Sequence, residues 1–303
     1  MANGEKPLRG KRIGIFGKGG SGKSTITILL SKELSKRGYN VCILDADSTN
    51  VGLSQVLGYD LPPEPLIDYF GGMVFSGGLV TCPVDDPTPL ADAAINFEEL
   101  PHQYYQQDDE GITLLTAGKL TNLGPGAGCD GPIAKIARDL KINSKGNQPV
   151  LLIDFKAGFE DSARGAITSL DWVIVVVDPT IAAVDLAINM KKMVKDIQAN
   201  VMPATEHLDT PELVFWANQV FIESTISGVV TVLNKIPTEE IEIFLREKLN
   251  QAGIDPIGVI HEDHKISSAW LQGLPIEETP AKEDIRTVVD KIEQMEKDLL
   301  PTK

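Results

Sequence analysis

GKGGSGKST at residues 17–25 follows directly on the apolar run RIGIF at 12–16 and leads into a stretch of helical periodicity from 22 to 37. Glycine at 17, 19, 20 and 22 lets successive backbone N–H groups curl around an anion, and the helix N-terminus beyond them favours negative charge. Lys23 supplies a cation for the outer phosphates of a nucleotide, and the Ser24 hydroxyl supplies a ligand for Mg²⁺. Gly17, Gly22, Lys23 and Ser24 fall at the spacing of a P-loop, and a strand before it with a helix after it is the context the motif demands. The backbone of Gly17, Gly19, Gly20, Ser21, Gly22 and Thr25, with the side chains of Lys23 and Ser24, is therefore expected at the phosphates. A lysine on an ordinary solvated helix start is a poor explanation of the same residues.

Away from this loop, short β-branched runs alternate with helical patterns. Strands are expected at 12–16, 41–44, 112–115, 150–153, 173–177, 229–233 and 257–260, and helices at 22–37, 132–140, 182–199, 239–251 and 281–299. VIVVV at 173–177 is apolar at every position, the pattern of a strand covered on both faces. The alternation predicts an α/β fold with a mostly parallel central sheet between two helical layers, a three-layer α/β/α P-loop NTPase. The chain reads as a single domain over 1–303, interrupted by irregular insertions at about 59–110 and 200–227. The first is rich in proline and acidic residues. The second contains LVFWANQVFI at 213–222, which reads as a short extra helix packed on the protein's own core rather than as a surface for a partner.

Two of the expected strands end in carboxylates. LDADSTNVGL at 44–53 sets Asp45 and Asp47 at the end of the second strand, and VLLIDFKAG at 150–158 sets Asp154 at the end of the fourth. Ligands of open parallel sheets bind beyond the carboxyl ends of the strands. Asp154 is thus in position to hold Mg²⁺ together with Ser24, and Asp47 to orient or deprotonate an attacking water and share the metal site. A solvated loop aspartate or a helix N-cap stays open as the reading of Asp45 and Asp47.

With Lys18 in the second position of the loop, these motifs resemble the deviant-Walker ATPases, the group of the MinD and ParA positioning proteins, the nitrogenase iron protein and the nickel-insertion accessory ATPases of carbon monoxide dehydrogenase. The resemblance is most specific at 13–25, 44–53 and 150–165, and FEDSARGA at 159–166 is most similar to the nickel-insertion group. It implies ATP and Mg²⁺ as ligands and a homodimer closed around two nucleotides, with Lys18 reaching the partner's phosphates as an arginine finger does. It also implies that residues 44–53 and 157–158 act as switch segments, and that Asn234, after the sixth strand, hydrogen-bonds the purine base.

LGPGAGCDGPIAKIARDL at 123–140 resembles the stretch that carries a cluster cysteine in the iron protein and a Cys-x-Cys metal site in the nickel-insertion ATPases. Here Cys129 is followed by Gly131 where the second cysteine would stand, and FKAGFED after Asp154 lacks the iron protein's other cysteine. A dimer offers two Cys129 thiolates, short of the four a [4Fe–4S] cluster or a closed zinc site needs. Transient holding of Ni²⁺ or Zn²⁺ at Cys129, with Asp130 or Cys82 completing the set, stays open beside the reading of a small buried thiol. His261 and His264 in IHEDH have a spacing that permits shared ligation on a helix, but a loop near the nucleotide is the expectation.

Bulk properties narrow the function classes. With 43 acidic and 28 basic residues the formal charge is −15, which argues against nucleic acid or an anionic membrane as a partner. Three scattered cysteines suit a reducing, cytoplasmic setting, MANGEKPLRGKR lacks the apolar core of a signal peptide, and no run approaches about 20 apolar residues. The last expected helix carries an apolar stripe, Ile285, Val288, Val289, Ile292, Met295 and Leu299, with no basic excess opposite, so it is expected to pack on the sheet rather than on lipid. The expectation is a Mg²⁺-dependent ATPase that matures a client metalloprotein. The alternative is an ATP-dependent docking or positioning switch, and an iron-protein-like electron donor follows behind both.

Overall fold

The computed structural model describes residues 6–120 and 129–299. Ten strands are present among them: β1 (Arg12–Gly17), β2 (Val41–Ala46), β3 (Ala94–Asn96), β4 (Gln106–Gln107), β5 (Ile112–Thr116), β6 (Lys141–Asn143), β7 (Val150–Phe155), β8 (Trp172–Val177), β9 (Gly228–Ile236) and β10 (Gly258–His261). The α-helices are α1 (Lys23–Lys36), α2 (Leu53–Leu57), α3 (Leu66–Tyr69), α4 (Gly131–Asp139), α5 (Glu160–Ala163), α6 (Ile181–Gln198), α7 (Pro211–Ile222), α8 (Glu239–Gln251), α9 (His264–Gln272) and α10 (Ala281–Leu299). Eight strands form one sheet in the order β10-β9-β8-β1-β7-β2-β5-β4, in which only the β4–β5 pair is antiparallel. All seven expected strands and all five expected helices are found. β3 and β6 make a separate two-stranded parallel pair.

The sheet is covered on both faces because its central strands are apolar at successive positions, and successive side chains point to opposite sides. Ile13, Ile15, Ile43, Leu152 and Ile174 pack with α1, α2, α9 and α10. Phe16, Leu44, Leu151, Ile153 and Val175 pack with α3, α4, α6 and α8 on the other side. The α10 stripe is seated in the first of these cores, with Ile285, Val288, Val289 and Ile292 buried; Leu299 at its end is exposed. In the second insertion, α7 lays Phe221 on the opposite core and leaves Phe215 and Ile222 exposed. Among the described residues, no helix is long and apolar enough to cross a membrane.

Two polar devices fasten the amino-terminal ends of the central strands β1 and β8. The Arg12 guanidinium donates to the carbonyls of Ala137 at 2.7 Å, Arg138 at 3.1 Å and Leu140, closing the C-terminal end of α4 whose last carbonyls lack helical partners. The buried Trp172 indole donates to Glu296 Oε2 at 2.7 Å, and Lys11 pairs with Glu296 Oε1 at 2.9 Å. Glu296→Ala leaves the indole N–H buried without an acceptor, and a loss of about 1–3 kcal/mol is expected, read as a lower midpoint of denaturant unfolding.

Candidate functional site

β1 ends at Gly17 and α1 begins at Lys23, so the glycine loop occupies the carboxyl edge of the sheet between its central strands. A side chain at Gly17 has no room: a Cβ there would lie 2.5 Å from Ser21 Oγ and 2.8 Å from the Val176 carbonyl. Gly20 and Gly22 have φ of +81° and +93°, which turn the loop back toward the helix. The Ser21 N–H donates to the Lys18 carbonyl at 3.1 Å, and the Lys23 ammonium lies 3.4 Å from the same oxygen. β9 braces the loop from the side. Asn234 donates its amide N–H to the Ser21 carbonyl at 2.7 Å, and Lys235 donates to the Gly20 carbonyl at 2.7 Å.

The carboxylates converge beside this loop because their strands are neighbours, with Asp45 and Asp154 cross-strand partners at the ends of β2 and β7. The Ser24 hydroxyl donates to Asp154 Oδ2 at 2.6 Å, while Asp154 Oδ1 is buried with no protein partner. Burial, and next the charge of Asp45, push the Asp154 carboxyl up to about 7; Ser24 and Lys23 pull against that rise. Burial also raises Asp45 to about 6, opposed first by Lys119, whose ammonium is 2.7 Å from Asp45 Oδ2. Asp47 is buried, and its Oδ1 accepts from the Thr49 N–H, the Thr49 hydroxyl and the Asn50 N–H at 2.8–3.2 Å. It therefore shapes the start of its own segment as a turn-forming aspartate while sitting at the strand end. Opposite, the Gly158 N–H donates to the Gly17 carbonyl at 3.0 Å, so the segment after Asp154 closes directly on the loop.

Three contributors were not legible as site residues in the sequence. Asn50 donates to Ser24 Oγ at 2.9 Å, Lys119 reaches both Asp45 and the Asp47 carbonyl, and Lys235 holds the loop. Lys235 follows Asn234 directly and Asn50 lies within the 44–53 segment, but Lys119 carries no motif, and only the three-dimensional pairing shows what each of them holds.

Cys129 stands just before α4, where its sulfur accepts from the Gly131 N–H at 3.4 Å. Cys82 reaches the same residue from the first insertion, and a Cβ at Gly131 would lie 2.5 Å from Cys82 Sγ. Asp130 pairs with Lys156 at 2.5 Å and with Arg164 at 2.9 Å. His261 and His264 do not share one helix: His261 ends β10 and pairs with Asp284 at 3.0 Å, while His264 opens α9. Among the described residues, no group of three or more metal-ligating side chains occurs. The glycines at 124, 126 and 128 lie outside the described residues.

A strand, glycine loop and helix with a hydroxyl and a strand-end carboxylate meeting behind them define the P-loop class of nucleotide hydrolases. Within that class, the model of the CobQ/CobB/MinD/ParA nucleotide binding domain matches residues 15–276, and the chain belongs to this family of ATP-binding ATPases. An uncharacterised ATP-binding protein of Methanocaldococcus jannaschii is 36% identical over 178 residues, which span 58% of this chain and 70% of that protein. The carbon monoxide dehydrogenase accessory protein CooC of Rhodospirillum rubrum is 30% identical over 190 residues, 61% of this chain and 70% of its own. The septum site-determining protein MinD of Pyrococcus horikoshii, solved with Mg-ADP, superposes with a TM-score of 0.60 at 18% identity over 96% of this chain and 99% of that one. At that identity the likeness is one of fold.

Proposed function

We propose that the protein is a Mg²⁺-dependent ATPase of one domain that closes as a nucleotide-sandwich homodimer and matures a cytoplasmic client metalloprotein, in the manner of nickel insertion. The observation that carries the ATPase reading is Asp154, with one oxygen bonded to Ser24 and the other buried without a protein partner. A buried acceptor left unmet beside a P-loop hydroxyl fits a hard cation that takes oxygen ligands and keeps several waters. Ser24, Asp154 and the neighbouring Asp47 would hold Mg²⁺, which when bound supplies charge neutralisation at the outer phosphates. The chain's own groups do the remaining work. The N–H groups of the loop cradle the phosphates, Lys23 neutralises them in cis and Lys18 in the partner's site, and Asp47 orients the water. Asn234 spends its N–H on Ser21 and keeps its side-chain oxygen for the amine of adenine.

Support for the maturation half comes from the relationship to CooC and from two thiols, Cys82 and Cys129, that both lie next to Gly131. Nickel or zinc would be cargo at this point, and the Asp130–Lys156 pair joins it to the segment that follows Asp154. Sedimentation with ADP and with a non-hydrolysable ATP analogue, with Ni²⁺ or Zn²⁺ added and the dimer peak analysed for metal, tests both halves. The expected result is a dimer only with the ATP analogue, retaining about one metal ion per two chains. A metal-free dimer overturns the maturation half in favour of an ATP-dependent docking switch. A monomer with the analogue overturns the sandwich.

A further inference from the structure

We infer that Lys119 is a positioning residue for hydrolysis, the group that fixes Asp47 where its carboxylate can act on water; the inference rests on the role proposed for Asp47 above. Asp47 lies one residue beyond the end of β2, so no ladder partner holds its backbone. Its two main-chain polar groups are held instead by a single ion pair. The Asp47 carbonyl accepts from the Lys119 ammonium at 2.6 Å, and the Asp47 N–H donates to Asp45 Oδ1 at 3.2 Å. The other oxygen of that same Asp45 carboxylate is bound by the same Lys119, at 2.7 Å. One ammonium thus grips the carbonyl directly and the N–H through Asp45.

The segment after β5 is built to deliver this side chain. The Ala117 N–H donates to the Asp45 carbonyl at 2.9 Å and the Leu120 N–H to the Ser48 carbonyl at 3.1 Å, so 117–120 runs alongside 45–48 like an extra half-strand. That pairing fixes where the lysine stem begins, and the side chain is about four-fifths covered, at 19% exposure. A cation is also what the place requires. Asp45, Asp47 and Asp154 crowd the ends of two adjacent strands, where the charge of the P-loop lysine acts on Asp154. Lys119 supplies the counter-charge at Asp45.

Nothing in this arrangement puts Lys119 on the loop that binds phosphate. Its bonds go to Asp45 and Asp47, so its effect reaches the reaction through the geometry of Asp47. Placement errors of about 1 Å at a catalytic group cost on the order of a hundredfold in rate. The chemistry of the grip is two donors fanned from one positive charge, which an arginine reproduces and a methionine does not.

The test is steady-state ATPase kinetics on the full chain with Lys119→Met, Lys119→Gln and Lys119→Arg, beside binding of a non-hydrolysable ATP analogue. Lys119→Met is expected to lower kcat about thirtyfold with KM and analogue affinity within about twofold, since positioning acts on the bond-making step. Arginine is expected to restore most of kcat and glutamine, with donors but no charge, an intermediate value. In an Asp47→Asn background, Lys119→Met is expected to cost nothing further, because a residue that acts through another is silent once that other is gone. Parallel losses in kcat and analogue affinity, or failure of arginine to restore, overturn the inference, as does a full additional loss on Asp47→Asn. Should Lys119→Met not fold, the arginine and glutamine variants carry the same comparison. If Asp47→Asn itself hydrolyses ATP at the wild-type rate, it is the role of Asp47 that has failed.

Discussion

Gly22→Ala is expected to lose nucleotide binding by about a hundredfold or more and to unfold more easily than the wild-type protein, whereas Gly19→Ala is expected to be nearly as stable as wild type. Gly22 closes the loop at φ +93°, just before α1, in the left-handed region, which costs an L-residue about 1–2 kcal/mol. A Cβ there would lie 2.2 Å from Asn234 Nδ2, a buried group whose position is set by its bond to the Ser21 carbonyl. Asn234 must retreat and give up that bond, worth about 1 kcal/mol, and with it the brace that holds the loop's N–H groups in place. Gly19 has no such φ, and its Cβ would find only Ala157 at 3.8 Å, an ordinary contact. Gly20, at φ +81° with nothing within 4 Å, carries the conformational cost alone. Thermal melts of the three alanine variants should therefore rank Gly19, Gly20, Gly22 from least to most damaged. Equal melting of Gly20→Ala and Gly22→Ala would show that Asn234 does not constrain the loop.

The same comparison explains what the sequence could and could not disclose. The P-loop was legible because its chemistry is local: glycine, lysine and hydroxyl at fixed offsets between an apolar strand and a helix. Asp45 and Asp154 were legible as strand ends, because VLLID and VCILD are apolar runs capped by a carboxylate and parallel strands present their ends on one edge. That Asn234 also braces the loop was not legible, since the bond to Ser21 joins residues 213 positions apart. Lys119 was missed for the same reason. It sits in TAGKL, which has no motif, and its meaning comes from β5 lying beside β2. The short elements were missed on length: β4 is two residues of glutamine, and β3 pairs with β6 across more than forty residues of chain. Propensity over two or three residues carries too little free energy to be read, and non-local pairing decides.

Lys18→Gln is expected to reduce ATP hydrolysis about a thousandfold while leaving the affinity of the single chain for nucleotide nearly unchanged, by analogy with a charge supplied in trans to a phosphoryl-transfer site. Within one chain the Lys18 backbone already has a task, its carbonyl facing the Ser21 N–H and the Lys23 ammonium, and Lys23 is the lysine carried on α1 beside the loop. The half-buried Lys18 side chain stands at the rim of the same loop, between β1 and the exposed Gly19 and Gly20. In the proposed dimer a cation there would serve a second chain's phosphates, and mixing decides whether it does. Lys18→Gln and Asp47→Asn are each expected to be inactive alone. In their heterodimer, one site combines the intact Asp47 of the first chain with the intact Lys18 of the second. An equal mixture that exchanges freely should therefore recover about a quarter of the wild-type sites, half the dimers being mixed and one site in each competent. If Lys18 serves its own chain's phosphates, every site in the mixture lacks one group and the mixture stays as inactive as its parts. That outcome would leave the P-loop assignment intact and remove the reason for a closed dimer.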